Sequence, residues 1–184
     1  MKINYLKSIN RQFHYYKNLG DATFEQLSEQ ELLYSPSEDV NSISIIVKHI
    51  VGNQLSRWTN FLTEDGEKEW RHRDTEFEGA FTSKEAMLQA WENGWNCLFN
   101  ALNEVDKVDL IHIVYIRNEG HTVLEAINRQ LCHYSYHIGQ IVHIGKTIKE
   151  ADWKSLSIPK NASKIYNKER FTADKQRKHF TDNP

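Results

Sequence analysis

Two histidines one helical turn apart are the residues of this sequence best suited to chemistry. His133 and His137 stand at positions i and i+4 of the segment HYSYHIGQIVH. In a helix, both imidazoles would project from one face and could hold one metal ion. The spacing alone is a weak signal, because such pairs also occur as polar surface residues or as core histidines bonded to carbonyl groups. The pair by itself leaves these interpretations open.

A third histidine strengthens the metal interpretation. His49 lies in the segment SIIVKHIVGNQ between Ile46 and Ile50, at the border of a predicted buried face where an imidazole needs a partner. The alternative is a core histidine bonded to a neighbouring side chain or to water. Three helical histidines could hold one ion from one side and leave positions open for a substrate, which catalytic metal sites require. The sequence does not indicate a catalytic residue beyond these ligands.

Some polar residues close to these histidines could bond the second ring nitrogen of a metal-binding histidine or contact a bound substrate. They are Asn53, Arg57, Gln130 and Gln140. Arg57 and Arg129 could meet a substrate carboxylate. Exposed amides and surface charges are the commoner explanation for residues of these types.

Apolar residues spaced by three and four predict four long helices that would position the histidines. A capping-box pattern begins each of the last two helices, at Thr82–Glu85 and at Thr122–Glu125. The segments 28–42 and 64–79 are predicted as loops. The helices are expected from near the N-terminus to about Leu27, from Ile43 to Leu62, from about Thr82 to Val105 and from Thr122 to about Ile148.

The predicted fold class is therefore all-α, an up-down four-helix bundle with a long crossover. The β-branched segment Leu110–Arg117 predicts a short strand before the fourth helix. Residues 1–150 would form the bundle, and residues 151–184 would form a basic C-terminal arm that is not a separate domain. This arm could pack on the bundle or on a second subunit through Ile158, Tyr166 and Phe171.

Composition and charge limit the classes of function. The chain has 184 residues, 39% hydrophobic and 26% charged, with 3 Pro and 8 Gly, which is typical of one helical domain. No apolar run reaches the roughly 18 residues of a membrane span, and the N-terminus lacks a secretory signal, so we expect a cytoplasmic protein. Residues 154–184 carry eight Lys or Arg against three Asp or Glu, which leaves the body acidic. An acidic body repels phosphate backbones and argues against nucleic-acid binding.

The arrangement of the histidines resembles that of a known family. His49 followed by the fourth-helix segment His133-Tyr-Ser-Tyr-His137-Ile138-Gly139-Gln140 is similar to the pattern of the DinB/YfiT-like superfamily of bacterial four-helix-bundle metalloproteins. The resemblance covers about the first 150 residues. It implies the bundle fold, the three-histidine metal site and a tendency to form homodimers. Ile138 stands where many members have Arg, so a role of that Arg in substrate binding is not carried over.

The resemblance also implies a class of activity, because the superfamily includes thiol S-transferases that use bacillithiol, mycothiol or glutathione. Three neutral imidazoles leave a divalent ion its full charge, which lowers the pKa of a bound thiol or water. The expected function is a metal-dependent S-transferase acting on a small-molecule electrophile with a low-molecular-weight thiol as cosubstrate. The alternatives are a metal-dependent hydrolase of a small ester or amide and a non-enzymatic, stress-related dimeric metal-binding protein. Zinc or nickel is expected, with iron as a further option.

Overall fold

A computed structural model describes residues 2–37 and 39–182 of the chain. These residues contain four long and two short α-helices, four 3-10 turns and one β-hairpin. The helices are α1 (Lys2–Glu25), α2 (Glu29–Leu33), α3 (Ile43–Trp58), α4 (Lys84–Glu104), α5 (Val123–Lys149) and α6 (Ser163–Phe171). The strands are β1 (Ile113–Ile116) and β2 (Glu119–Thr122).

The four long helices form the predicted all-α bundle. α1 packs against α4 and α5, and α3 packs against the same two helices, so α1 and α3 occupy opposite corners. The connection from α1 to α3 therefore crosses the bundle and carries α2. The connection from α4 to α5 crosses as well and carries the hairpin.

The core of the bundle is built around buried aromatic side chains. Phe13, Trp91, Trp95 and Tyr134 are fully buried, and the two tryptophan rings meet edge to face at 5.4 Å, a favourable arrangement of aromatic pairs. The phenol of Tyr134 accepts a bond from Trp58 Nε1 at 3.0 Å and donates to Asn53 Oδ1 at 2.9 Å. These bonds fix α5 against the face of α3 that carries His49.

Capping residues explain where several helices begin. The predicted capping box of Thr122 and Glu125 is present at the start of α5. α4 begins one residue later than predicted, because Ser83 rather than Thr82 accepts the bond from the backbone of the first turn.

The predicted loop 28–42 is wrong in part, since it contains the short helix α2. Ser28 and Glu31 form a capping box at its start, and Leu32 is buried in the core. A helix as short as α2 is stable here because the capping box satisfies free N–H groups of its first turn and Leu32 packs in the core.

The extended segment predicted before the last long helix is confirmed and has a partner strand. β1 pairs with β2 in antiparallel register, and Arg117 and Asn118 form the turn with φ of 57° and 61°, the left-handed values that tight hairpins require. The carboxylate of Asp65 accepts the backbone N–H groups of both turn residues at 2.8 Å. The hairpin turn is thereby tied to the loop that follows α3.

The C-terminal arm packs on α1 through its last described residues. Phe180 meets Tyr15 edge to face at 5.4 Å, and the imidazole of His179 lies 2.9 Å from the Ser8 hydroxyl. Of the residues predicted to make this contact, Tyr166 is half-buried, whereas Phe171 is 84% exposed. None of the helices in the described ranges combines the length and the hydropathy that a membrane span requires.

Candidate metal centre

The structure brings the three predicted histidines together. His49 projects from the middle of α3, and His133 and His137 project from one face of α5. The Nε2 atom of His133 lies 3.3 Å from that of His49 and 3.0 Å from that of His137. The three imidazoles could hold one metal ion, since their ligand atoms all lie within 4.8 Å of one another.

These separations fit imidazoles that share an ion. Zinc–nitrogen distances of about 2.0–2.1 Å place two ligand nitrogens about 3.3 Å apart in a tetrahedral site, and about 3.0 Å apart in an octahedral one. An unprotonated ring nitrogen can only accept hydrogen bonds. Such atoms repel one another at this range unless a cation or a proton lies between them, so the donor set suits a metal.

Hydrogen bonds at the outer ring nitrogens orient two of the imidazoles. His49 Nδ1 lies 2.8 Å from Glu76 Oε2, and His137 Nδ1 lies 2.7 Å from Gln140 Oε1. Both partners are oxygen acceptors, so each Nδ1 carries the proton and donates it. This tautomer leaves the Nε2 lone pairs free to face the centre of the cluster.

Glu76 is a buried carboxylate that sequence reasoning missed. It lies on a single 3-10 turn, Asp74–Phe77, that packs on α3. The Arg71 guanidinium donates to both of its oxygens, at 2.8 and 3.0 Å. Burial raises the pKa of Glu76, but the bonds from His49 and Arg71 outweigh burial and hold the pKa below its ordinary value. The carboxylate therefore remains ionised and can bind the N–H of His49.

Gly52 allows Glu76 to approach α3. A Cβ atom at position 52 would lie 2.3 Å from Glu76 Oε1, closer than two such atoms can come. A glycine inside a helix often marks a close approach of this kind. Gly52, in the segment KHIVGNQ, was the one local signal that another part of the chain packs beside His49.

The histidines of α5 are held in their neutral, metal-binding form. Burial, together with the charges of His137, His49 and two arginines, lowers the pKa of His133 to about 3. Burial also lowers the pKa of His137 below its ordinary value. Neutral imidazoles are the form that binds metal ions, so near pH 7 neither ligand needs to lose a proton first.

A polar cavity of about 250 Å³ lies beside the cluster. It is bounded by α3, the loop after α3, the hairpin turn and α5. Its lining consists of five arginines, two amides and two of the three histidines: Arg57, Arg71, Arg73, Arg117, Arg129, Asn53, Gln130, His49 and His133. A larger cavity of about 880 Å³ around Cys97 contains none of the three histidines. The smaller cavity is therefore the one that adjoins the histidine cluster.

The four predicted neighbours of the histidines separate into two groups. Asn53, Arg57 and Gln130 line the cavity, whereas Gln140 lies outside it against His137. Asn53 is bonded to Tyr134 and does not bond a histidine ring nitrogen. The structure thus places three of these residues in the cavity lining and one beside His137.

The family model described as "Protein of unknown function (DUF1572)" matches residues 1–162. The chain belongs to the DUF1572 family. Comparisons with curated proteins and with solved structures found no match. The matched residues of this DUF1572 chain include all three histidines, Gly52 and Glu76, and they end before α6 begins at Ser163.

Proposed function

We propose that this DUF1572 protein is a divalent-metal-dependent S-transferase that joins a low-molecular-weight thiol to a small-molecule electrophile. The observation that carries the proposal is the convergence of three imidazole nitrogens at the edge of a cavity large enough for a small substrate. The DUF1572 family is grouped with the DinB/YfiT-like proteins. That superfamily includes thiol S-transferases, so the resemblance supports thiol transfer. A homodimer in the cytoplasm is part of the same proposal.

His49, His133 and His137 would hold the ion. A divalent ion on three neutral ligands keeps its charge and lowers the pKa of a thiol, so that thiolate forms near pH 7. Zinc or nickel suits three imidazoles, and iron is an alternative.

The other residues of the site orient the ligands. Glu76 and Gln140 hold the protons on the outer ring nitrogens of His49 and His137, and Arg71 holds Glu76 in place. Such bonds keep the ligands in the binding tautomer and reduce the entropy lost on metal binding.

Hydrolysis has less support from the surroundings of the cavity. A hydrolase would need a free carboxylate or similar base near the substrate. Glu67 and Glu76, which contact the buried arginines of the lining, are each held by those ion pairs. Asp74, beside Arg73, is 96% exposed to solvent. This leaves thiol transfer as the activity that the site supports best.

The metal is tested by elemental analysis of tag-free protein. We expect about one ion per chain in the wild type, and little in His49→Ala or His137→Ala, because two imidazoles bind more weakly than three. His143→Ala is the matched control, since His143 is an exposed histidine of the same helix and should leave the metal content unchanged. A wild-type protein without metal, even after incubation with zinc or nickel, would overturn the proposal.

The activity is tested on the metal-loaded protein with 1-chloro-2,4-dinitrobenzene and either cysteine or glutathione. Thiol-dependent product formation that is lost in His137→Ala supports the transferase. Hydrolysis of p-nitrophenyl acetate without thiol, lost in the same variant, would favour the hydrolase. Metal binding with neither reaction would favour a non-enzymatic metal-binding protein.

A further inference from the structure

The cavity beside the histidines is strongly cationic. Five of its nine lining residues are arginines, and none of the nine is acidic. Arg57 and Arg71 are the buried members of this group, whereas Arg73, Arg117 and Arg129 lie exposed at the mouth.

Neighbouring carboxylates offset only part of this charge. Glu67 Oε2 is shared by three arginines, with Nη atoms of Arg57, Arg71 and Arg117 at 2.9, 3.3 and 3.4 Å. Glu76 is bonded to Arg71 and to His49. Asp74, with Oδ1 3.8 Å from Nη1 of Arg73, is a third neighbouring carboxylate. Three carboxylates therefore face five guanidinium groups, and the cavity keeps an excess of positive charge.

Separate segments of the chain deliver these arginines. Arg57 comes from α3 and Arg129 from α5, while Arg117 lies in the hairpin turn that Asp65 holds by its backbone. Glu67 lies among three of the arginines but offsets only one charge. The remaining like charges repel one another unless a further anion lies among them. Arginine is also the side chain that best matches the geometry of a carboxylate or a phosphate.

Two buried polar atoms in the lining lack a partner among the residues that the structure describes. They are Nε of Arg57 and Oε1 of Gln130, whose residues are 6% and 4% exposed. The Arg57 N–H is a free donor for an anion. The two ends of a glutamine amide are assigned from its hydrogen bonds, so Gln130 can present either a donor or an acceptor. Buried polar groups are normally bonded, so these atoms point to a polar ligand.

We propose that this cavity binds the oxyanion group, a carboxylate or a phosphate, of the small molecule that reacts at the three histidines. The reaction rests on the proposed function, whereas anion binding depends on the arginines alone. Arg117 and Arg129 bind the oxyanion at the mouth of the cavity, and Arg57 and Gln130 meet polar atoms of the ligand further in. The positively charged site thereby selects acidic substrates over neutral ones.

Isothermal titration calorimetry of the full chain with succinate and with inorganic phosphate tests this proposal. Succinamide, which has the shape of succinate without its charge, is the neutral control ligand. We expect at least one of the two anions to bind, with an affinity that falls as salt is added, and succinamide not to bind. The tighter of the two anions identifies the oxyanion group.

The double variant Arg117→Gln/Arg129→Gln should bind the anion about tenfold more weakly or worse, because charge-assisted hydrogen bonds are lost. Both residues are exposed, so the variant should fold, and its circular dichroism and melting temperature check this. Arg177→Gln, an exposed arginine of the C-terminal arm, is the matched control and should bind like the wild type.

Titrations of metal-free wild type and of His137→Ala separate this proposal from the metal site, because His137 does not line the cavity. Anion binding should persist in both, even if the protein holds no metal at all. Binding that is equal for succinamide, that is unchanged in the double variant, or that is absent for both anions overturns the oxyanion site.

Discussion

Among the hydrogen bonds that orient the proposed metal ligands, the bond from His49 to Glu76 is the one that single substitutions test best. Glu76→Gln keeps an acceptor oxygen of the same shape but removes the charge that stabilises the N–H donor. We expect metal affinity to fall about 10-fold or more, within the range usual for such partners. Competition with a zinc chelator measures it.

Glu78→Gln is the control for this prediction, because Glu78 is exposed two residues away. Equal zinc affinity in the two variants would mean that the Glu76 charge does not support His49.

The depressed pKa of His133 predicts how the stability of the metal-free protein depends on pH. His133 has an ordinary pKa of 6.5 when unfolded and of about 3 when folded, so between these values the unfolded chain binds a proton that the folded protein does not. Stability is therefore fully present above about pH 6.5 and falls as the pH drops towards 3. The lowered pKa of His137 acts in the same direction.

Urea unfolding at pH 7, 6 and 5 measures this dependence. In His133→Gln the loss of stability over this range should be smaller than in the wild type, because the variant lacks one of the groups that titrate. Identical slopes would show that His133 can be protonated in the folded state.

At the scale of elements, Gly52 controls how closely the loop after α3 can approach that helix. Ala is the better helix former by about 1 kcal/mol, yet Gly52→Ala places a methyl group against Glu76. We expect a net loss of about 1–3 kcal/mol from overpacking and weaker metal binding, because Glu76 must leave His49. Thermal unfolding and zinc titration check both effects.

Gly139→Ala provides the matched control. Gly139 is also helical, but a Cβ there would meet nothing within 4 Å. This variant should be stabilised by up to about 1 kcal/mol and keep its metal affinity. If Gly52→Ala behaved in the same way, the close approach of Glu76 would not matter for the site.

The elements differ in how far the sequence predicts them. The four long helices and the pair His133 and His137 follow from the 3.6-residue period, which is a local property. Ser28 and Glu31 form a local pattern as well, so α2 could have been found from its capping box. Glu76 lies in an irregular loop whose path depends on tertiary contacts, and only Gly52 indicated it.

The convergence of the five arginines on one cavity could not be predicted from the sequence either. Arg57 and Arg129 were recognised as candidates for a substrate carboxylate from their places on helices. Arg117 reaches the cavity because bonds from Asp65 and Gly66 tie the hairpin to the loop after α3, and these contacts join residues far apart in the chain.

At the scale of the whole molecule, the segment that follows the family match should be dispensable for the metal site. Deletion of residues 163–184 removes the contacts of His179 and Phe180 with α1. It removes none of the three histidines and no residue of the arginine-lined cavity. We expect unchanged metal content and a melting temperature lower by about 2–4 °C, as a loss of about 1 kcal/mol implies for a chain of this size.

Elemental analysis, thermal unfolding and size-exclusion chromatography test this deletion together. Loss of metal would place the arm in the site, and loss of a dimer with intact metal would make the arm a subunit contact. Either result would contradict the view that the arm only covers α1.

The ribosome synthesises the chain from the N-terminus, so the distance in sequence between the three histidines has a consequence for metal loading. His49 and His133 are 84 residues apart, and α5 is the last long helix of the bundle to leave the ribosome. A nascent or truncated chain that lacks α5 has one of the three ligands, and one imidazole cannot hold an ion against cellular chelators. Metal loading would therefore wait until the bundle is complete, and the ion would mark chains that have finished folding.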